Sequence, residues 1–244
     1  MSTLSFLFNE ILYRPILNSL VILQNIVPGH DFGLAVIVLT ILIRLLLWPL
    51  ASQSIRSQKA LQELQPEINA LKEKYKDNRA EQAKAMMDLY KAKKINPASG
   101  CLPILIQLPI LIALYWAFLN GLKSPIGHLL YPFVNFSNHI NPMFLGLIDL
   151  SQKSAGLAIL AGALQYWQTK MIMPKKKTTE QPGGKKTKEP IEDFSSMMNK
   201  QMLYMMPVLT LFIAYSLPSA LALYWAASTA FTIVQQYFVV KNSK

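Results

Sequence analysis

The chain has 244 residues, 52% hydrophobic and 15% charged, with a formal net charge of +11. A soluble domain of this length has a more charged surface and lacks apolar runs as long as a bilayer is thick, so composition points to a polytopic α-helical membrane protein. One cysteine, Cys101, excludes an intramolecular disulfide and a CxxC metal site.

His30, His128 and His139 fall in loops without HExxH spacing, and neither GxxxxGK[ST] nor GxSxG occurs. No metal, cofactor or enzymatic chemistry is expected. The positive charge reads as loop orientation and contact with anionic lipid headgroups rather than nucleic-acid binding.

Residues 1–31 are moderately apolar. The run Pro15–Val27 is short for a span and interrupted by Asn18, Gln24 and Asn25. Leu12, Ile16, Leu20 and Leu23 share one helical face, which predicts an amphipathic, extracytoplasmic helix lying in the interface. A signal peptide is the alternative, but the charged n-region and the small-residue cleavage site are missing. Pro28-Gly29-His30-Asp31 forms a turn.

Residues 32–51 are the first predicted span, closed by Trp48 and Pro49. Residues 52–100 are polar. Leu61, Leu64, Ile68, Leu71 and Tyr75 fall at three- and four-residue steps, as do Ala83, Met86, Met87 and Tyr90 beyond Asp77-Asn78. Two amphipathic helices packed as a cytosolic hairpin are predicted, followed by a turn at Asn96–Gly100.

Residues 101–122 are span two, with internal Pro103 and Pro109, and residues 123–153 an extracytoplasmic loop whose segment Leu129–Phe136 touches the interface. Span three, residues 154–173, carries Ala155, Gly156, Ala158, Ala161, Gly162 and Ala163, which permit close helix approach. Residues 174–201 are a basic, mobile cytosolic loop. Span four (202–217) and span five (218–240) join through Pro218-Ser219 as an antiparallel hairpin, before a short tail at 241–244.

Of the 24 lysines and arginines, 19 fall in the second polar segment, the basic loop and the tail. That bias places the amino end outside and the carboxyl end in the cytosol, and five spans satisfy the parity. Lys175–Lys177 and Lys185–Lys188 set topology; ribosomal RNA is their alternative partner. Cys101 opens span two as a small packing residue, and Trp116, Trp167 and Trp225 are interface or packing aromatics.

The polar residues inside the predicted spans carry the functional argument. Arg44 is costly within a bilayer, and Thr40 lies one turn earlier on its face. Gln107 sits mid-span two and Gln165 in span three. Tyr224, Ser228, Thr232 and Gln235 form a stripe on span five. No Asp or Glu falls inside any predicted span, so Arg44 has no intramembrane carboxylate partner. Together these residues read as the wall of a wet cavity, although interhelical hydrogen bonding alone would explain the stripe. The missing acids and the lack of an inverted repeat weaken a coupled transporter. No catalytic Ser/His or paired Asp is available for an intramembrane protease.

Three stretches then resemble a known family: Ile95–Phe118 (INPASGCLPILIQLPILIALYWAF), Thr40–Leu50 (TILIRLLLWPL) and Phe212–Phe238 (FIAYSLPSALALYWAASTAFTIVQQYF). Their content and order are similar to bacterial YidC/Oxa-type membrane insertases in the five-span form, without the large extracytoplasmic domain of Gram-negative members or a lipoprotein-type cysteine near the amino end.

The resemblance implies a bacterial inner-membrane insertase and chaperone for nascent membrane proteins, working through a hydrophilic groove open to cytosol and lipid. Arg44 matches the groove arginine and Thr40 its neighbour. Tyr224 and Ser228 match positions near the client path, and residues 52–94 match the mobile hairpin. Ribosomes, targeting factors and the general secretion channel are the implied partners. A small-solute transporter or a structural subunit of a membrane complex is the alternative.

Overall fold

The computed structural model describes residues 3–96, 102–123, 127–134, 141–173 and 190–241. Helix α1 (Thr3–Phe8) runs through a π turn (Asn9–Tyr13) into α2 (Arg14–Ile26). Then follow α3 (Phe32–Leu46), α4 (Trp48–Glu63), α5 (Gln65–Lys74), α6 (Arg79–Ala92) and α7 (Leu102–Lys123). A two-stranded antiparallel ribbon, β1 (Met143–Phe144) and β2 (Ile148–Asp149), precedes α8 (Ala155–Ile172), α9 (Pro190–Ser216) and α10 (Ser219–Lys241). The fold is that of an all-α membrane protein with one minimal ribbon. Its outward faces carry an apolar belt that includes Leu46, Leu105, Ile159, Trp167, Val208, Phe212 and Tyr237. A water-soluble monomer rarely exposes so many large apolar side chains.

The amino-terminal helix is longer than its sequence suggests. Ser5–Ile26 is continuous for 22 residues and could cross a membrane by length and composition. The contacts of its α2 part fix where that part sits in the bundle. At one end Asn120 Nδ2, close to the end of α7, donates to the Tyr13 hydroxyl at 2.8 Å. At the other end the chain turns through Val27–Asp31 into Phe32. Phe32 and Phe118 stack edge to face with ring centroids 5.5 Å apart. Helix α2 therefore lies across the adjoining ends of α3 and α7. Its inner face buries Ile16, Leu17, Leu20 and Val21, and also Asn18, one of the residues that interrupt the apolar run. Asn18 is satisfied on both sides: its amide donates to the carbonyls of Arg14 and Leu129, and its oxygen accepts from Tyr131 N at 2.7 Å.

The span predicted over residues 32–51 is not one straight helix. It bends by 69° between α3 and α4 at Leu47. Pro49 is the cause: it lacks an N–H, its ring would clash with the carbonyl four residues earlier, and it suits the first turn of a new helix. Helix α3 keeps 15 residues, about 22 Å of rise, less than the hydrocarbon thickness.

Beyond the bend, α4 continues what the sequence shows as the start of the hairpin, and Pro66 starts α5 after a break at Leu64. Helices α5 and α6 pack together. Gln82 Nε2 donates to the Lys72 carbonyl at 3.0 Å and Lys93 pairs with Glu67 at 2.9 Å. Asn78 caps α6 through Glu81 N.

Two further expectations change. The basic loop predicted to reach residue 201 ends earlier, because α9 begins at Pro190. Helices α9 and α10 join at a tight turn, but they pack chiefly against α8, which lies between them. The small face of α8 explains this. A β-carbon on Gly162 would come within 3.2 Å of Leu211 Cβ and 3.3 Å of the Pro207 carbonyl, so any larger residue would push α9 away by a few tenths of an ångström. The turn expected at Asn96–Gly100 beyond Asn96, Cys101, and the lysine runs Lys175–Lys177 and Lys185–Lys188 lie outside the described residues.

The loop predicted over 123–153 contains the ribbon, which closes the end of the bundle where α3 and α10 begin. Asp31 caps α3 by accepting from Leu34 N at 2.9 Å and accepts from Leu145 N at 2.5 Å. Ser219 N donates to the Gln152 carbonyl and Ala220 N to the Leu150 carbonyl. Phe144 covers Gly33 so closely that an added β-carbon would sit 2.1 Å from the ring.

Candidate functional site: a polar cluster around Arg44

Arg44 lies in the last turn of α3, just before the bend. Its side chain reaches across to α10 and α7. Nε donates to Ser228 Oγ at 2.9 Å, and Nη2 donates to Gln107 Oε1 at 3.1 Å and also to Ser228 Oγ. Gln107 in turn donates through Nε2 to the Tyr224 hydroxyl. Arg44, Gln107, Tyr224 and Ser228 are thus joined in one hydrogen-bonded cluster drawn from three helices. Spacing explains the α10 half: Tyr224 and Ser228 are four apart and share a face.

Every acceptor around the guanidinium is neutral. Among the described residues the ion pairs are Glu10–Arg14, Glu73–Lys76 and Glu67–Lys93, none of which includes Arg44. A charge held this way keeps its field, because no carboxylate cancels it.

The other residues singled out from the sequence divide. Thr40 is buried, and its hydroxyl donates back to the Val36 carbonyl at 2.6 Å, so it is enclosed by the bundle. Thr232 likewise turns back on its own helix, its hydroxyl donating to the Ser228 main-chain carbonyl at 2.9 Å. Gln235 is 0% exposed and serves the bend: Nε2 donates to the Trp48 carbonyl at 3.0 Å and to Ser52 Oγ at 3.1 Å. Trp48 packs edge to face on Phe231 beside it, with centroids 5.8 Å apart. Gln165 is half-buried on α8 and makes no hydrogen bond to the Arg44 group; its carbonyl accepts from Thr169.

Sequence reading missed Ser52 and the Trp48 carbonyl as partners of Gln235. The available signal was the spacing of Trp48 and Ser52, one turn apart beside a proline.

The packing of α3 on α7 changes along its length. At the Phe32–Phe118 end, α3 and α7 meet through fully packed rings. Some twelve residues further along α3, about 18 Å by helical rise, the link is instead the Arg44–Gln107 hydrogen bond. There Gln107 is half-buried, and Leu46, Leu105 and Leu108 are exposed. Chemically the arrangement offers a fixed positive charge and hydroxyl and amide groups beside an apolar lateral surface. Among the described residues, no group of three or more acidic, histidine or cysteine side chains could hold a metal.

Comparison with known proteins places the chain. The family model described as 60Kd inner membrane protein matches residues 22–244. The protein named membrane protein insertase YidC from Syntrophus aciditrophicus is 36% identical over 234 residues, which is 95% of this chain and 37% of that protein. The one from Geobacter sulfurreducens is 31% identical over 231 residues, with the same coverage. Membrane protein insertase YidC 1 from Halalkalibacterium halodurans is 39% identical over 213 residues, 86% of this chain and 70% of that relative. The chain thus spans a little over a third of the first two relatives and most of the third. On the family match and these identities, it belongs to the 60Kd inner membrane protein family, the family of YidC/Oxa-type proteins.

Proposed function

We propose that the chain is a membrane protein insertase that passes polar tails of nascent membrane proteins through a hydrophilic, positively charged groove and releases their helices into lipid. The observation that carries this reading is Arg44, hydrogen-bonded to neutral groups of α7 and α10 with no acidic partner among the described residues. Relatives over most of this chain bear the name insertase, which supports the same reading.

The mechanism is physical rather than covalent. A translocated tail loses backbone hydration in hydrocarbon, at several kcal/mol per unsatisfied group by general estimate, roughly. A wet groove that reaches partway across shortens the dry distance. The guanidinium attracts an acidic tail more strongly beside low-dielectric walls than it would in bulk water. The short α3 and the bend at Leu47 favour local thinning of the bilayer. The client helix leaves along exposed Leu105, Leu108 and Ile112 of α7 and Val234 of α10.

In this proposal Arg44, Gln107, Tyr224 and Ser228 form the polar wall. Thr40 and Thr232 support it from their own helices, Gln235 fixes the bend below, and Gln165 belongs to the scaffold that holds α10. The protein crosses a bacterial inner membrane five times, by α3 and α7–α10, with the amino end outside and the carboxyl end in the cytosol. The α5–α6 hairpin lies on the cytosolic side and receives clients from ribosomes or targeting factors, alone or beside the general secretion channel. Anionic lipids contact the basic segments.

Crosslinking tests the route. Stalled nascent chains should crosslink to photoreactive probes at Gln107 and Ser228, and not to one at Trp167 on the far face of α8. Contacts confined to stable subunits would turn the reading toward a scaffold role.

A further inference from the structure

We infer that the ribbon tip, Leu145-Gly146-Leu147, is an apolar prong seated in lipid at the bilayer surface remote from Arg44. Leu147 is 82% exposed, more than any other large apolar residue among those described, and Leu145 is 59% exposed.

The backbone makes these leucines unusual. Leu145 has φ +52° and Gly146 φ +67°, and Leu147 N donates to the Phe144 carbonyl at 3.0 Å. This is a tight hairpin turn of the type that strongly prefers Asn-Gly, because both central residues are left-handed. A leucine there brings its β-carbon against the next carbonyl, where asparagine is tolerated far better. The chain holds a strained, branched apolar residue where a polar one would close the turn more easily. Strain kept in place by its surroundings points to a use for the side chain.

The surroundings do hold it. Asp31 accepts from Leu145 N, Phe144 is wedged over Gly33, and Ser219 Oγ donates to the Asp149 carbonyl at 3.1 Å. The tip is a fixed projection on a clamped base.

Lipid is the occupant that the chemistry favours. Two aliphatic side chains give a protein partner no directional contact, and hydrocarbon requires none. The same end of the bundle carries the features of a membrane–water boundary. Tyr131 stacks on the exposed Phe133 with centroids 5.5 Å apart, and the Arg14 guanidinium lies 5.3 Å from the Tyr131 ring. Lys153 lies 6.0 Å from the Tyr215 ring. Amphipathic rings and long cations occupy that level in membranes. The inference requires that the bundle be embedded, and it is independent of how Arg44 is used.

The test uses the full chain in a Cys101→Ser background, reconstituted into phosphatidylcholine/phosphatidylglycerol vesicles. Nitroxide labels go on Leu147→Cys, on Leu145→Cys and on Gln152→Cys as an exposed control. Oxygen and a nickel chelate serve as collision reagents. The expected result is an oxygen-to-nickel accessibility ratio several-fold higher at 147 and 145 than at 152. Equal ratios would place the tip in water and overturn the inference. Protection from both reagents would indicate a protein contact and overturn it too. Leu145→Asn, which suits the turn, should unfold in detergent at the same or a higher temperature. A lower midpoint would assign the leucine to the fold rather than to lipid.

Discussion

Replacing Arg44 separates stability from transport, because its two contributions to stability have opposite signs. Removing a charge from membrane depth relieves a penalty of a few kcal/mol, roughly. Against that, Arg44→Ala leaves Gln107 Oε1 without its donor, at about 1–3 kcal/mol, while the Ser228 hydroxyl can reorient. Net stability should therefore change little.

Function should change much more. A client carboxylate within roughly 7 Å of the guanidinium gains about 2.4 kcal/mol at an effective dielectric of about 20, or roughly 50-fold in occupancy. The assay is insertion into liposomes of one client with either an acidic or a neutral translocated tail, scored by protease protection. Wild type should favour the acidic tail, and Arg44→Ala should lose most of that preference while unfolding at a similar temperature. Arg44→Lys should retain much of it, although an ammonium cannot reproduce the fork that holds Ser228 and Gln107 together. Equal insertion of the acidic-tail client by wild type and Arg44→Ala would refute the role given to the charge.

Other perturbations probe the framework. Gly33→Ala should detach the ribbon, because the added carbon would meet Phe144 at 2.1 Å; overpacking costs about 1–3 kcal/mol, read as a lower thermal midpoint that Phe144→Ala restores. Asn18→Leu strands the Tyr131 N–H, at about 1–3 kcal/mol for a group left unpaired, removes one of the two donors to the Leu129 carbonyl, which keeps Arg14 Nε, and should expose residues 127–134 to proteolysis. Gln235→Ala frees the Trp48 carbonyl and Ser52 from α10; spin labels at Arg56 and Lys241 should then report a broader distance distribution between α4 and α10, and an unchanged one would deny Gln235 its role in holding α4.

Much of the chain was legible in order. The apolar runs, the turn residues and the polar stripe on α10 lie within single helices, and local periodicity reports on a single helix well. The lone arginine was visible because its setting, an acid-free apolar run, is a matter of composition. The 69° bend at Leu47 was less legible: Pro49 near the end of a hydrophobic stretch reads equally as a stop or as the first turn of a second helix. Asn18 looked like an interruption because burial of its polar side chain depends on partners more than a hundred residues away.

By itself the sequence determined that this is a helical membrane protein with a charge in an apolar segment and polar groups on three further segments. Only the tertiary structure decided which of those groups meet. Arg44 joins Gln107 and Ser228, Thr40 turns back on its own helix, and Gln235 is spent on the bend. The reason is geometric. A stripe of residues fixes the face of a helix, but the neighbour of that face depends on crossing angles and close approaches, such as those permitted by Gly33 and Gly162, that are set by the packing of all the helices at once.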